Sequence, residues 1–191
     1  MGKTRLEAFS DGVIAILITI MVLELKAPHD ADLESLVPLI PTALSYLLSF
    51  IYLGIYWNNH HHMFHTVESV TGSMMWANLH LLFWLSLAPF VTDWMGENHF
   101  AAIPVAVYGL LFLMASLAYW ILQQVIIKSQ GPDSVLKHAI GRDLKGKISP
   151  ILYTIAIALS FVNTLAAELI YLSVALLWIV PDRRIEMEFK K

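Results

Sequence analysis

The chain has 191 residues, of which 58% are hydrophobic and only 14% are charged. Because a soluble domain usually carries about 25% charged residues, this composition, with its repeated apolar runs of about 20 residues, indicates an integral membrane protein. The absence of cysteine excludes disulfides, thiolate metal sites and cysteine nucleophiles, and the net charge of -3 gives no indication of nucleic-acid binding.

Six apolar segments predict six transmembrane helices. In chain order they lie at about 9–25, 37–59, 74–95, 101–127, 148–162 and 164–180. The first four are long enough for one crossing each, at about 20 residues per span. The last two are shorter and are separated only around Asn163, which predicts a tight hairpin. The sequence therefore predicts an all-α integral membrane protein in which residues 1–191 form a single six-span domain.

Lysine and arginine predict the orientation of these helices. If the N-terminus lies in the cytoplasm, eleven of the twelve basic residues fall on the inner side and only Lys26 falls outside. The inner residues are Lys3, Arg5, Lys128, Lys137, Arg142, Lys145, Lys147, Arg183, Arg184, Lys190 and Lys191. Since cytoplasmic loops carry an excess of basic residues, both termini are predicted to be cytoplasmic.

Polar side chains occur at a similar inner depth in three of the predicted helices. Ser10 and Asp11 lie near the cytoplasmic end of the first helix, His60 lies near that end of the second, and Asn78 and His80 lie near the start of the third. Such residues are costly in a membrane and normally face protein or water. We expect these five side chains to form one hydrogen-bonded layer.

Helical geometry separates Asp11 from one side of the first helix. At 100° per residue in an unbroken helix, Ile16, Thr19 and Leu23 fall within about 60° of one another, whereas Asp11 lies about 140° from Ile16. If the Ile16 side faces an aqueous pathway, Asp11 points back into the subunit, towards the asparagine and histidines of the layer. This geometry predicts a structural role for Asp11 rather than ion coordination.

Two further polar features have alternative interpretations. Thr19 is able to bond the carbonyl of Ala15 in its own helix, or to join two helices, without facing an ion. The i,i+3 and i,i+4 spacings in the cluster of His61, His62 and His65 suit a shared metal. A single cluster of this kind nevertheless favours interfacial hydrogen bonding, and a proton-responsive role stays open. We therefore expect no metal, no cofactor and no enzymatic activity.

The stretch RLEAFSDG carries a recognisable pattern. Its residues include Arg5, Phe9, Ser10, Asp11 and Gly12. It resembles the R-x-x-x-F-S-D signature of the transmembrane protein 175 potassium-channel family. The six spans, the histidine-bearing second helix and NLHLLFWLSLAPF in the third also resemble a prokaryotic member with one six-helix unit. The resemblance implies a homotetramer in a prokaryotic plasma membrane, with a central pore lined by the first helices.

The resemblance also implies roles along the first helix. Ile16 would form a ring of bulky apolar side chains at the constriction, Thr19 would face the permeating ion one turn outward, and Leu23 would form the next ring. Because Ile16 offers no ligand and K+ is held less tightly by its water than Na+, modest potassium selectivity is expected. K+ and membrane lipid are the expected partners, and the signature residues before Ile16 are expected to be structural.

A proton-coupled secondary transporter of small cations is the alternative function, with His60, His80 and Asp11 carrying the protons. Transporters often show internal repeats and helices broken at mid-membrane. No repeat is visible between the two halves of this chain, and its prolines lie near the span ends. A membrane enzyme that uses the histidine cluster is a third possibility. The pattern as a whole favours the potassium channel.

Overall fold

The computed structural model describes residues 2–131, 134–141 and 143–179. All regular elements within these residues are helices, and none of them is a strand. The predicted all-α architecture is therefore confirmed. Five basic residues that entered the orientation prediction lie outside the described residues, as does residue 180 of the last predicted helix; the five are Arg142, Arg183, Arg184, Lys190 and Lys191.

Eight α-helices and one short 3₁₀ helix make up the described chain. They are α1 (Lys3–Leu23), the 3₁₀ helix (Glu34–Leu39), α2 (Ile40–His65), α3 (Gly72–Ser86), α4 (Ala88–Glu97), α5 (Ala102–Gln130), α6 (Val135–Ile140), α7 (Leu144–Ser160) and α8 (Thr164–Ile179).

Four helical segments of the described chain are long and apolar enough to cross a membrane. They are α1, the 3₁₀ helix continued by α2, α3 together with α4, and α5. The helices α7 and α8 are shorter, at 17 and 16 residues, and the turn at 161–163 joins them into a packed pair. These segments make the chain an integral membrane protein.

The first three predicted segments differ in their bounds from the observed helices. α1 begins at Lys3 rather than at residue 9, so the signature stretch is helical throughout. α2 continues past residue 59 and ends at His65. The segment predicted as one helix over 74–95 is divided at Leu87, because Pro89 has no N–H to donate to the carbonyl of Leu85.

The later predicted segments differ less. α5 runs Ala102–Gln130 in place of 101–127. α7 begins at Leu144 rather than at residue 148, because the Asp143 side chain accepts a hydrogen bond of 3.1 Å from the backbone N–H of Gly146 and so caps the helix. The last helix begins at Thr164 as predicted.

Tyrosines fill the middle of the bundle. The ring of Tyr52 on α2 stacks on Phe112 of α5 at 4.2 Å, and its hydroxyl donates a 2.6 Å hydrogen bond to the carbonyl of Tyr171 on α8. The hydroxyl of Tyr171 in turn donates to the carbonyl of Val105 on α5 at 3.1 Å. Because a polar group inside a membrane must find its partner within the protein, these bonds let large aromatic rings pack without unpaired hydroxyls.

Polar contacts at the two ends of the bundle show which helix ends lie together. The Nζ atom of Lys3, at the start of α1, donates a 3.1 Å hydrogen bond to the carbonyl of His65, at the end of α2. At the opposite end, Lys26 lies 3.7 Å from Glu97 in an exposed salt bridge between the segment after α1 and the end of α4. The start of α1 and the end of α2 therefore share one side of the membrane.

Candidate functional site on helix α1

One face of α1 holds it in the bundle. Its buried residues are Leu6, Ser10, Ile14, Leu17 and Met21. They recur every three or four positions and therefore form one stripe along the helix. Through this stripe α1 packs against α2, α3 and α4. The opposite side of the helix is exposed and faces away from its own subunit.

The three predicted pathway residues lie on that outward face. Ile16 is 57% exposed, Leu23 is 74% exposed, and Thr19 is exposed between them. At 100° per residue, Thr19 lies about 180° from the centre of the buried stripe. Since α1 is unbroken from Lys3 to Leu23, the angular argument applies over its whole length. The structure places all three residues away from the core of the subunit.

The hydroxyl of Thr19 bonds within its own helix. Its Oγ1 atom donates a 2.9 Å hydrogen bond to the carbonyl of Ile16, one position from the Ala15 carbonyl considered in the sequence. This bond occupies the hydrogen of the hydroxyl and leaves the lone pairs of its oxygen outside the bond. Thr19 therefore presents an acceptor oxygen on the outward face, one turn from Ile16.

The signature residues divide between the two faces. Arg5 and Phe9 are exposed on the same side of α1 as Ile16, and Phe9 is 48% exposed. Ser10 is fully buried in the stripe, whereas Asp11 is half-buried at its edge. The residues of the signature therefore contribute to two surfaces of one helix.

Three of the predicted layer residues meet in a buried hydrogen-bonded chain. The Nδ2 atom of Asn78 donates to Ser10 Oγ at 2.9 Å, and Ser10 donates its own hydrogen to the carbonyl of Leu6 at 2.9 Å. His60 Nε2 lies 2.7 Å from Asn78 Oδ1. Because a carboxamide oxygen only accepts, His60 must carry its hydrogen on Nε2. The chain joins α2, α3 and α1, and each of its side chains is 0% or 1% exposed.

Asp11 has a different partner from the expected one. It was predicted to point towards His60, Asn78 or His80, but its Oδ1 atom accepts a 3.0 Å hydrogen bond from Nε1 of Trp57 on α2. The reason is geometric: Asp11 is one residue after the buried Ser10 and so lies about 100° round the helix, at the rim of the contact with α2.

His80 stands apart from the layer. Its Nε2 atom accepts a 3.0 Å hydrogen bond from Nε1 of Trp84, one turn further along α3. His80 lies two positions after Asn78, which places their side chains about 200° apart on the helix. Asn78 faces α1 and α2, so His80 cannot face them too, and its predicted membership of the layer is wrong.

The histidine cluster lies at the end of α2. The ring centroids of His61 and His65 are 5.8 Å apart, and those of His61 and His62 are 5.7 Å apart. The ring of His61 also stacks on Trp57 at 6.5 Å. Among the described residues, no group of three or more histidine or acidic side chains is arranged to hold a metal ion. Through the contact of His61 with Trp57, the cluster lies next to the hydrogen bond between Trp57 and Asp11.

Trp57 is the site residue that the sequence did not single out. A tryptophan near the end of a membrane helix is ordinary, because the membrane interface favours aromatic side chains. The one available signal was depth, since Trp57 and Asp11 fall at the same inner end of two neighbouring predicted helices. Recognising the pair also requires the packing angle between α1 and α2.

This arrangement defines a multi-pass helical membrane protein whose first helix is held by buried polar contacts and presents an outward face with Ile16, Thr19 and Leu23. Residues 5–89 match the family model described as the endosomal/lysosomal potassium channel TMEM175. A potassium channel from Chryseobacterium is 56% identical over 191 residues, which is the full length of both chains. The chain belongs to the TMEM175 family.

Two further similarities agree with this assignment. The crystal structure of a lysosomal potassium-selective channel TMEM175 homolog from Chamaesiphon minutus matches with a TM-score of 0.80 and 29% identity, and the match covers 94% of this chain and 97% of that one. The endosomal/lysosomal proton channel TMEM175 of Gallus gallus is 35% identical over 91 residues, which are 41% of this chain and 18% of that protein. The family resemblance stated from the signature is thereby confirmed.

Proposed function

We propose that this protein is a potassium channel in which four copies of the chain surround a central pore lined by α1. The observation that carries the proposal is the outward face of α1, where Ile16, Thr19 and Leu23 point away from their own subunit. A single helix cannot enclose a pore, so the face needs other copies to complete it. The similar proteins that are named potassium channels support K+ as the permeating ion.

The constriction in this proposal is a ring of four Ile16 side chains. An apolar ring offers no oxygen ligand, so an ion that passes it loses part of its hydration and the ring itself replaces none of it. Such rings also gate by dewetting. The acceptor oxygens of four Thr19 side chains, one turn away, replace part of the lost water. K+ gives up its hydration more readily than Na+, and the result is potassium selectivity of modest size. Leu23 forms the next apolar ring.

The signature positions the pore helix in this proposal. Ser10 fastens α1 to α3 through Asn78, and Asp11 fastens it to α2 through Trp57. Arg5 and Phe9 remain part of the structural signature on the outward side. None of these groups coordinates the ion.

The proposed orientation places both termini in the cytoplasm of a prokaryotic cell, with six crossings of the plasma membrane. The hydrogen bond from Lys3 to the end of α2 and the salt bridge of Lys26 with Glu97 lie at opposite ends of the bundle, which fits the predicted distribution of basic residues. α7 and α8 supply the last two crossings, at 17 and 16 residues.

Replacing Ile16 by asparagine tests the constriction. In planar bilayers, Ile16→Asn is expected to raise single-channel conductance and to weaken the preference for K+ over Na+, because an amide at the ring hydrates the passing ion. The matched control is Ile155→Asn on the exposed face of α7, which is expected to leave both quantities unchanged. Unchanged currents in Ile16→Asn would remove Ile16 from the pathway.

Reversal potentials separate the channel from the transporter alternative. Reconstituted protein under opposed K+ and Na+ gradients is expected to give single-channel steps. Its reversal potential is expected to lie nearer to the equilibrium potential of K+ than to that of Na+. Flux that saturates and requires exchange with protons would support a proton-coupled transporter instead. Native mass spectrometry of the same preparation is expected to show four subunits, and a monomer that conducts would contradict the shared pore.

A further inference from the structure

The hairpin formed by α7 and α8 is shorter than the membrane that it crosses in the proposed orientation. α7 has 17 residues and α8 has 16, which at 1.5 Å per residue give lengths of about 26 Å and 24 Å. The hydrocarbon core of a typical bilayer is about 30 Å thick. By contrast, α5 has 29 residues and is about 44 Å long. The hairpin therefore cannot reach both surfaces of an undeformed bilayer.

Polar contacts place the open end of the hairpin at the inner surface. Trp178, near the end of α8, donates a 2.8 Å hydrogen bond to Ser149 of α7, and Nζ of Lys145 lies 6.0 Å from the centre of the Trp178 ring. Gln130, at the end of α5, donates to the carbonyl of Thr66, directly after α2. Tryptophan and lysine side chains are typical of the membrane interface. The missing length is therefore at the outer surface, where the turn of the hairpin lies.

The turn at 161–163 is apolar and bonds its own backbone. Val162 is 84% exposed, and the turn contains no charged residue. By contrast, the connection over 24–33, at the same end of the bundle, contains four charged residues. The N–H groups of Val162 and Asn163 donate to the carbonyl of Leu159 at 2.9 Å and 2.8 Å. Because its polar groups are paired and its side chains are apolar, the turn suits a contact with lipid rather than with bulk water.

Glu168 limits how deep this turn lies in the membrane. It is the only charged residue in the sequence of α8 and lies one turn after the start of the helix. No residue in the described parts of the chain donates a hydrogen bond to its carboxylate. The one buried side-chain oxygen without a partner in those parts belongs to Asp93, so the oxygens of Glu168 lie at the surface of the bundle.

The depth of Glu168 decides between two positions of the turn. Its backbone lies ten residues, or about 15 Å, before Trp178 at the inner interface. In an undeformed bilayer about 30 Å thick this is the middle of the hydrocarbon, where an unpaired carboxylate is very unfavourable. Side chains on a helix point towards its N-terminus, so the carboxylate extends towards the turn. The outer headgroups and water therefore come down to the level of the turn.

We propose that the bilayer is thinned where it meets the α7–α8 hairpin, and that phospholipids with short acyl chains are the preferred partners of this face. The inference rests on the six crossings of the proposed function. Between Thr164 and Trp178 the hydrocarbon is about 21 Å thick, which is about 9 Å less than in a typical bilayer. Thinning costs free energy for each ångström of mismatch, and short acyl chains reduce that cost.

Cysteine labelling measures the depth of the turn, because the native chain has no cysteine. Leu165 and Leu172 are both exposed and lie on one face of α8, with Leu172 about 10 Å deeper. In dioleoyl phosphatidylcholine liposomes, a membrane-impermeant maleimide is expected to label Leu165→Cys to at least half the extent of Leu33→Cys, a reference in the outer connection after α1. Leu172→Cys is the matched control and is expected to reach less than a tenth of that extent.

The same labelling in detergent separates the ways in which the proposal fails. If Leu165→Cys is labelled in detergent but not in liposomes, the turn lies inside an undeformed hydrocarbon core and the proposal is overturned. If it is labelled in neither, another copy of the chain covers this face, which also overturns it. Labelling does not depend on ion flux, so a protein that carries no current still gives a clear result.

Bilayer thickness provides a second measurement. The thermal unfolding midpoint of the native protein is expected to be highest in dimyristoleoyl phosphatidylcholine and to fall through the dioleoyl to the longer dierucoyl lipid. Glu168→Leu removes the need for water near the turn and is expected to show a smaller fall. Glu68→Leu makes the same change at an exposed position between α2 and α3 and is expected to keep the full fall. An equal fall in the two variants, or one midpoint for the native protein in all three lipids, would contradict the thinning.

Discussion

Asn78 on α3 donates a 2.9 Å hydrogen bond to the hydroxyl of Ser10 on α1, and both side chains are fully buried. Ser10 belongs to the signature stretch at the start of α1, and Asn78 is 68 residues further along the chain. Between apolar helices in lipid there is little hydrophobic driving force, so polar contacts of this kind select one arrangement of the helices. The outward face of α1 is therefore positioned from its buried side.

Replacing Asn78 by leucine is expected to destabilise the subunit. The substitution leaves the Nε2 hydrogen of His60 and the oxygen of Ser10 without partners in a buried place, at a cost of about 1–3 kcal/mol. Thermal unfolding of the purified protein measures the loss. The control is Asn98→Leu at an exposed position after α4, where the effect is expected to stay within about 0.5 kcal/mol. Equal midpoints for the two variants would show that the chain through Asn78 does not hold α1.

The sequence predicted the elements of this fold better than their contacts. The length of an apolar segment and the periodicity of a helix are local properties of the sequence. The predicted membrane helices therefore lie near the helices of the structure. The angular placement of Ile16, Thr19 and Leu23 on one face followed from the helix repeat alone, once α1 proved unbroken. The partner of Asp11 did not follow, because the distance to Trp57 depends on how α1 and α2 cross.

The misplacement of His80 has a more instructive cause. Asn78 and His80 share a depth in the membrane, and depth alone suggested that they belong to one layer. Residues two apart on a helix face nearly opposite directions, so only one of them reaches α1. The same angular test that separated Asp11 from Ile16 would have separated this pair. The proposed assembly of four copies is a different case, because a contact between copies would be visible on a single chain only as an exposed face.

Replacing Trp57 by phenylalanine tests the second attachment of α1. Phenylalanine keeps an aromatic ring beside His61 but removes the N–H that Asp11 accepts, so the variant is expected to lose about 1 kcal/mol of stability. Trp76→Phe is the matched control, because Trp76 is 75% exposed and makes no hydrogen bond within the described chain. Denaturation midpoints of both variants, compared in one detergent, measure the difference. A loss of equal size in Trp76→Phe would assign the effect to tryptophan itself rather than to the contact with Asp11.

Replacing Thr19 by valine tests the role of its hydroxyl in conduction without a large change in stability. Valine matches threonine in shape, and the lost hydrogen bond lies within one helix, so stability is expected to stay nearly unchanged. If the hydroxyl oxygen replaces hydration of the passing ion, K+ conductance falls, and about 1 kcal/mol of added barrier corresponds to about fivefold in rate. Single-channel recording measures this. Thr154→Val removes the same type of intrahelical bond on the exposed face of α7 and is expected to conduct normally. A Thr19→Val channel with normal conductance would restrict Thr19 to its intrahelical bond.

Replacement by alanine is expected to change stability in opposite directions at Gly96 on α4 and at Gly54 on α2. A Cβ atom at Gly96 on α4 would lie 2.6 Å from the Cα atom of Thr42 and 2.6 Å from the hydroxyl of Ser45, both on α2. Backbone cannot move aside as a flexible side chain does, so Gly96→Ala is expected to separate α4 from α2 at a cost of about 1–3 kcal/mol. A Cβ atom at Gly54 in α2 would meet nothing within 4 Å. Gly54→Ala is therefore expected to gain up to about 1 kcal/mol from helix propensity. Thermal unfolding of the two variants decides the point, because loss of stability in both would mean that the exposed side of α2 near Gly54 is also closely packed, against another copy of the chain.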